Sequence, residues 1–221
     1  MKLSRPLTIA MALVVALPAI SSAQQGRDFK NAWFWGIKGG GLTLADSGQA
    51  MRQAPMAGID WLITRSKGGL YISGGQSFFT QQTFTLRDPN APADSGSRVI
   101  NMKNMRRLDV AVMGFPGEHV RFHPYVGAGF TLSQIATAAP QGPFGNSDQL
   151  NYADQVIQDQ KVGFSPLVIV GGQYSLRRMS VFLQGTATPT QKNFLLYNGR
   201  AVNFSYEAGL RYNVGSSIDR N

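Results

Sequence analysis

The chain has 221 residues and no cysteine, and its 21 Lys and Arg against 12 Asp and Glu give a formal net charge of +9. Without cysteine, disulfides, thiolate metal sites and cysteine nucleophiles are excluded. Beyond the N-terminus no apolar run reaches the roughly 18 residues of a transmembrane helix, which excludes a helical membrane protein as well.

At the N-terminus Lys2 and Arg5 precede the apolar run 7–17, and Ser21-Ser22-Ala23 places small residues at the minus-three and minus-one positions of a cleavage site. This is the pattern of a secretory signal peptide, and the run is too short for a membrane anchor. Cleavage after Ala23 leaves residues 24–221 as one domain and lowers the charge from +9 to +7. Such a basic surface suits phosphate-bearing partners; for an exported chain these are lipid headgroups, including lipopolysaccharide, rather than nucleic acid.

Residues 33–44 alternate, with Trp33, Trp35, Ile37 and Gly39 on one side and Phe34, Gly36, Lys38 and Gly40 on the other. Period two predicts a strand. Segment 45–57 reads as a loop, 58–65 as a second strand, 66–69 as a tight turn and 70–85 as a third strand. A second loop, 87–97, carries Asp88-Pro89-Asn90. Strand four, 98–114, sets Leu108, Val110 and Val112 against Arg107, Asp109 and Ala111, but strict alternation puts Asn104 and Arg106 on the apolar side. Because arginine facing mid-bilayer lipid costs about 2–4 kcal/mol, Arg106 is expected at the outer rim or beside a bulge. A turn at 115–119 and a fifth strand, 120–135, follow. Residues 136–161 read as the longest irregular stretch; strands six and seven, 162–174 and 179–188, enclose a tight turn, and 189–200 is a last loop. The final strand, 201–214, alternates without a break: Val202, Phe204, Tyr206, Ala208, Leu210, Tyr212 and Val214 oppose Asn203, Ser205, Glu207, Gly209, Arg211 and Asn213.

Several of these strands exceed the usual five or six residues and reach the 9–11 that a tilted strand needs to cross a bilayer. The eight strands are joined alternately by long and short connections, the sorting of a membrane barrel with short periplasmic turns and longer outer loops. The expected fold is all-β: an eight-stranded antiparallel up-and-down transmembrane β-barrel, with both termini on the periplasmic side.

Strand five reads Arg121-Phe122-His123-Pro124-Tyr125-Val126-Gly127-Ala128-Gly129-Phe130, and Gly171-Gly172-Gln173-Tyr174 and Ala208-Gly209-Leu210-Arg211-Tyr212 echo it. The Pro-Tyr-Val-Gly-Ala-Gly segment after a short turn resembles the fifth strand of the small outer-membrane barrels of the OmpA/OmpX-like family, and the echoes resemble its strands six and eight. The resemblance implies a location in an outer membrane. It departs from the family at the C-terminus, where Tyr212 is followed by residues 213–221 instead of closing on an aromatic.

With the apolar faces outward, the lumen is expected to receive Lys38, Asp60, Arg107, Asp109, Arg121, His123, Glu207 and Arg211. Charges of both signs desolvated together must pair or stay hydrated. Glu207 and Arg211 share a face but stand about 13 Å apart at about 3.3 Å per residue, so each must reach another strand. Closure of strand eight on strand one predicts a Lys38–Glu207 bridge. An eight-stranded barrel has an interior just wide enough for side chains, so these charges are expected to plug it.

Enzymatic function finds little support. His119 and His123 are the only histidines, and no serine stands near them at the His-x-Ser spacing of a lipid A deacylase barrel. Asp88, Asp94, Asp148, Asp154 and Asp159 fit no calcium-loop spacing, and no cofactor or metal site is expected. The reading is therefore a monomeric barrel with a structural, surface-interaction or adhesion role, its partners being outer-membrane lipid and a surface partner met by loops 45–57, 87–97, 136–161 and 189–200. The alternatives are a narrow channel for small solutes, a lipid-modifying barrel enzyme, or a soluble barrel of opposite polarity.

Overall fold

The computed structural model describes residues 29–44, 52–86, 98–117, 121–141, 144, 147–196 and 202–216; the signal segment and loop 87–97 lie outside them. Eight strands, β1 (Ala32–Leu44), β2 (Arg52–Thr64), β3 (Gly68–Leu86), β4 (Arg98–Gly114), β5 (Phe122–Gln141), β6 (Val162–Leu176), β7 (Met179–Pro189) and β8 (Val202–Ser216), pair each with the next. β8 returns antiparallel to β1 and closes the barrel. Among the described residues no helix is long and apolar enough to cross a membrane.

Alternation sets the two faces of the wall. On β8, Phe204, Tyr206, Leu210, Tyr212 and Val214 are exposed outward, while Ser205, Glu207, Arg211 and Asn213 are buried in the lumen. The outer belt continues through Ile37 (64 % exposed), Val112 (70 %) and Leu183 (64 %). From Phe204 to Val214 the strand covers about 33 Å, which at a tilt of about 40° gives a band about 25 Å tall, the height of a hydrocarbon core. Aromatics mark its edges. Trp33, Trp35 and Trp61 pack together near the short-turn end, Trp35 stacking on Trp61 with centroids 5.2 Å apart, and Tyr212 is registered beside Trp35. Toward the long-loop end Phe130 stacks on Phe164, 5.2 Å between centroids.

Three stretches expected to be loops contain regular or packed structure. β2 begins at Arg52, extending above its pairing with β3, which starts at Met56; Pro55 pairs only with Gly41 of β1, an edge position where a missing N–H is tolerated. Within 136–161, β5 continues to Gln141 and a helix, α1 (Ser147–Gln160), follows. Its buried residues are Ala153 and Ile157, a spacing of four that forms one helical face; the many polar residues around them hid that face from the sequence reading. Within 189–200, Phe194, Leu195 and Leu196 are buried and pack with Ile157.

Both routes offered for Arg106 contribute to β4. Arg106 stays exposed on the outer wall, registered between Gln76 of β3 and Gln134 of β5, so three polar residues end the apolar belt on this side. Just beyond it the alternation breaks: Asn104 has φ 56°, the register against β3 shifts between Ser77 and Thr80, and Asn104 Oδ1 accepts from the Phe79 N–H at 3.3 Å. Asparagine tolerates this left-handed conformation better than most residues. The break turns Ile100 and Met102 inward, where unbroken alternation from Arg107 would have sent Asn101 and Lys103.

Candidate functional site

The lumen is filled in three layers. At the short-turn end Phe34, Leu62, Tyr71, Met113, Tyr125, Leu167 and Ile169 form an apolar plug, with Phe29 and Phe115 packed against it. At the long-loop end a second apolar cluster joins Leu42, Ile100, Met102, Met105 and Ile135 to Ile157 of α1 and to Phe194–Leu196. Between them lies a layer of charge.

Two centres make up that layer. In the first, Glu207 accepts from Lys38 Nζ and from Arg107 Nη2, both at 2.6 Å. Lys38 and Glu207 are adjacent across the β1–β8 seam, whereas Arg107 reaches the same carboxylate across the lumen from β4. Arg107 Nε also donates to Asp109 Oδ2 at 3.1 Å, and Lys38 Nζ donates to Ser73 Oγ at 2.7 Å. In the second centre Arg211 Nε donates to Asp60 Oδ2 at 2.5 Å and Nη1 to Gln173 Oε1 at 2.8 Å. Its guanidinium carbon lies 3.8 Å from the Phe182 ring centroid, and the side chain is fully buried. A planar, weakly hydrated guanidinium is the cation best suited to such a slot.

Asp60 and Arg211 stand on strands that flank β1, both registered to Gly36. A Cβ on Gly36 would collide with Asp60 Oδ1 and lie 2.8 Å from Arg211 Cγ. The glycine therefore opens the gap through which the two side chains meet, the close approach that glycine in a strand often marks.

Neutral groups connect the two centres. Gln184 Nε2 donates to Glu207 Oε2 at 2.8 Å and to the Tyr71 hydroxyl at 3.0 Å, and the Tyr125 hydroxyl donates to Gln184 Oε1 at 3.0 Å. Three cations, Lys38, Arg107 and Arg211, balance three anions, Asp60, Asp109 and Glu207. Such a neutral, hydrogen-bonded set is the condition under which buried charges are tolerated. Above Arg107 a cavity of about 30 Å³, bounded by Leu42, Met105, Ser133, Ser165 and Phe194, has room for about two waters.

The structure thus joins six of the eight residues read from the sequence. His123 is buried but apart, its ring stacked on Phe29 at 3.9 Å in the short-turn plug. Arg121 does not enter the lumen: it is exposed in the bend before β5, where the strand alternation that would have aimed it inward has not begun. Gln173, Gln184, Tyr71, Tyr125 and Ser73 were missed because only formal charges were traced along the inner faces. Strand parity alone places them there, Gln184 opposite Leu183 and Gln173 opposite Tyr174. Among the described residues no group of His, Asp and Glu is arranged to hold a metal ion, and Asp148, Asp154 and Asp159 are exposed on α1. Asp88, Asp94 and His119 lie outside the described residues.

No family model matches the sequence, and no curated protein matches it. Solved structures do. Neisserial surface protein A is 12 % identical, with 83 % of this chain and 97 % of that chain covered and a TM-score of 0.48. Ail, the attachment invasion locus protein of Yersinia pestis, is 8 % identical over 84 % of this chain and 99 % of its own, TM-score 0.45. The outer membrane protein OprG from Pseudomonas aeruginosa is 13 % identical over 85 % and 98 %, TM-score 0.42. Each likeness is one of overall fold at low identity.

Proposed function

We propose that residues 24–221, released from a signal peptide at 1–23, form a monomeric outer-membrane barrel whose role is structural and adhesive rather than conductive or catalytic. The observation that carries this reading is the pairing of an outward apolar belt with a lumen closed at three levels. A soluble barrel would reverse that polarity, and burying Ile37, Val112 and Leu183 in lipid removes apolar surface that water would otherwise meet, at about 25 cal/mol per Å².

Conduction requires a continuous polar path, whereas here fully buried Glu207 and Arg211 are held by direct ion pairs between two apolar clusters. What the barrel offers its surroundings is the long-loop end, which among the described residues carries α1 and the 190–196 turn. A surface partner and lipopolysaccharide are the expected contacts there.

Cell fractionation and planar-bilayer recording test the reading together. The expected result is heat-modifiable protein in the outer-membrane fraction and no unitary current from the reconstituted barrel. Sustained unitary currents would replace the plugged barrel with a channel, and recovery as a soluble periplasmic form would remove the membrane reading itself.

A further inference from the structure

The short-turn rim carries a feature that the plugged lumen does not use. Arg65 and Lys67 flank the β2–β3 turn, Arg121 precedes β5, and Arg177 and Arg178 form the β6–β7 turn. Lys30, before β1, adds another exposed cation. Among the described residues of these connections there is no carboxylate; Glu118, in the β4–β5 connection, lies outside them. The opposite end is mixed, with Lys103, Lys161 and Lys192 alongside Asp148, Asp154 and Asp159.

Two features identify what this rim meets. The cations occupy every short connection and so encircle the barrel, whereas a protein partner would call for a concentrated patch on one side. They also stand at the aromatic edge of the apolar belt: Arg178 Nη1 donates to the Tyr212 hydroxyl at 3.3 Å, while the Tyr212 ring is exposed on the outer wall beside Trp35. A guanidinium held there lies at headgroup depth.

We infer that the short-turn rim is a ring of phosphate contacts for anionic phospholipids of the periplasmic leaflet, which anchors the barrel vertically and selects acidic lipid around it. This rests on the membrane reading above. Arginine and lysine recognise phosphate oxygens through charge-assisted hydrogen bonds, and one such cation near an anionic surface favours association about fivefold at moderate salt.

The test uses the refolded full-length mature barrel in phosphatidylcholine vesicles containing spin-labelled phosphatidylglycerol or spin-labelled phosphatidylcholine. Electron paramagnetic resonance then reports which lipid is immobilised at the protein surface. The expected outcome is a preference of about fivefold for phosphatidylglycerol. It should fall toward unity at 1 M salt and in a variant carrying Arg65→Gln, Lys67→Gln, Arg121→Gln, Arg177→Gln and Arg178→Gln. A control variant with Lys103→Gln and Lys192→Gln should keep the preference. Heat-modifiable migration of each variant is checked first, and a barrel that does not insert at all defeats the membrane reading rather than this inference. An inserted barrel with no preference, or one whose preference survives the five substitutions, overturns it. So does rim-dependent retention on peptidoglycan sacculi without lipid selectivity, which would assign the cations to the cell wall instead.

Discussion

The same wall is built with opposite polarity at two heights. Across the apolar belt, Leu108, Val110 and Val112 face outward and Arg107 and Asp109 inward; above Asn104 on the same strand, Ile100 and Met102 face inward and Lys103 outward. Backbone hydrogen bonding does not distinguish the two zones, since β4 remains paired with β5 through both, from Val99 to Gly114. What differs is the medium outside the wall. Where lipid surrounds the barrel, polar groups have nowhere to go but the lumen; where water surrounds it, the ordinary rule of apolar inside returns. One residue in a left-handed conformation is enough to switch between them, because a slip of one position exchanges the faces of everything beyond it.

The sharpest way to break the lower zone is Glu207→Ala. It leaves buried Lys38 without an ion-pair partner and Arg107 with Asp109 alone, and removing one partner from such a set costs about 3–5 kcal/mol. The urea midpoint of the barrel in lipid is expected to fall accordingly, with global loss of heat-modifiable migration at lower denaturant.

In the upper zone Leu195→Ala deletes a side chain that is 1 % exposed and packed with α1, a change typically worth 2–5 kcal/mol at a buried leucine. Here the expected readout is local. Hydrogen exchange or limited proteolysis of 147–160 and 190–196 should accelerate while the barrel midpoint hardly moves; a global midpoint shift as large as that of Glu207→Ala would show that the two zones fold as one unit.

The smallest effect is expected at the switch. Asn104→Val puts a β-branched residue at φ 56° and removes the acceptor for the Phe79 N–H, for about 1–2 kcal/mol. Hydrogen exchange should rise at 100–105 and 77–80, and unchanged protection there would mean that the turned backbone does not depend on asparagine.

Much of the lower zone was legible in the residue order. Period-two alternation on β8 assigned Glu207 and Arg211 to the lumen, and closure of β8 on β1 was enough to pair Lys38 with Glu207. Arg121 was misplaced because alternation constrains a side chain only inside a strand. The upper zone was nearly illegible. Its core draws one residue each from β1, β2, β5 and α1, three from β4 and three from the 194–196 turn, and no one of these stretches shows a long apolar periodicity in the sequence.

By itself, then, the sequence determined the strand count, the alternation of long and short connections, and which face of each membrane-zone strand is apolar, because the side-chain period of a strand is a local property. Beyond the Lys38–Glu207 pair at the seam, tertiary structure alone decided which charges meet. The Arg107 reach from β4 to Glu207 on β8, and the Asp60–Arg211 contact over Gly36, depend on the register accumulated around a closed barrel, to which every strand contributes. It also decided where the wall reverses polarity, since Asn104 reads as an ordinary strand residue until its neighbours on β3 and β5 fix the height at which lipid gives way to water.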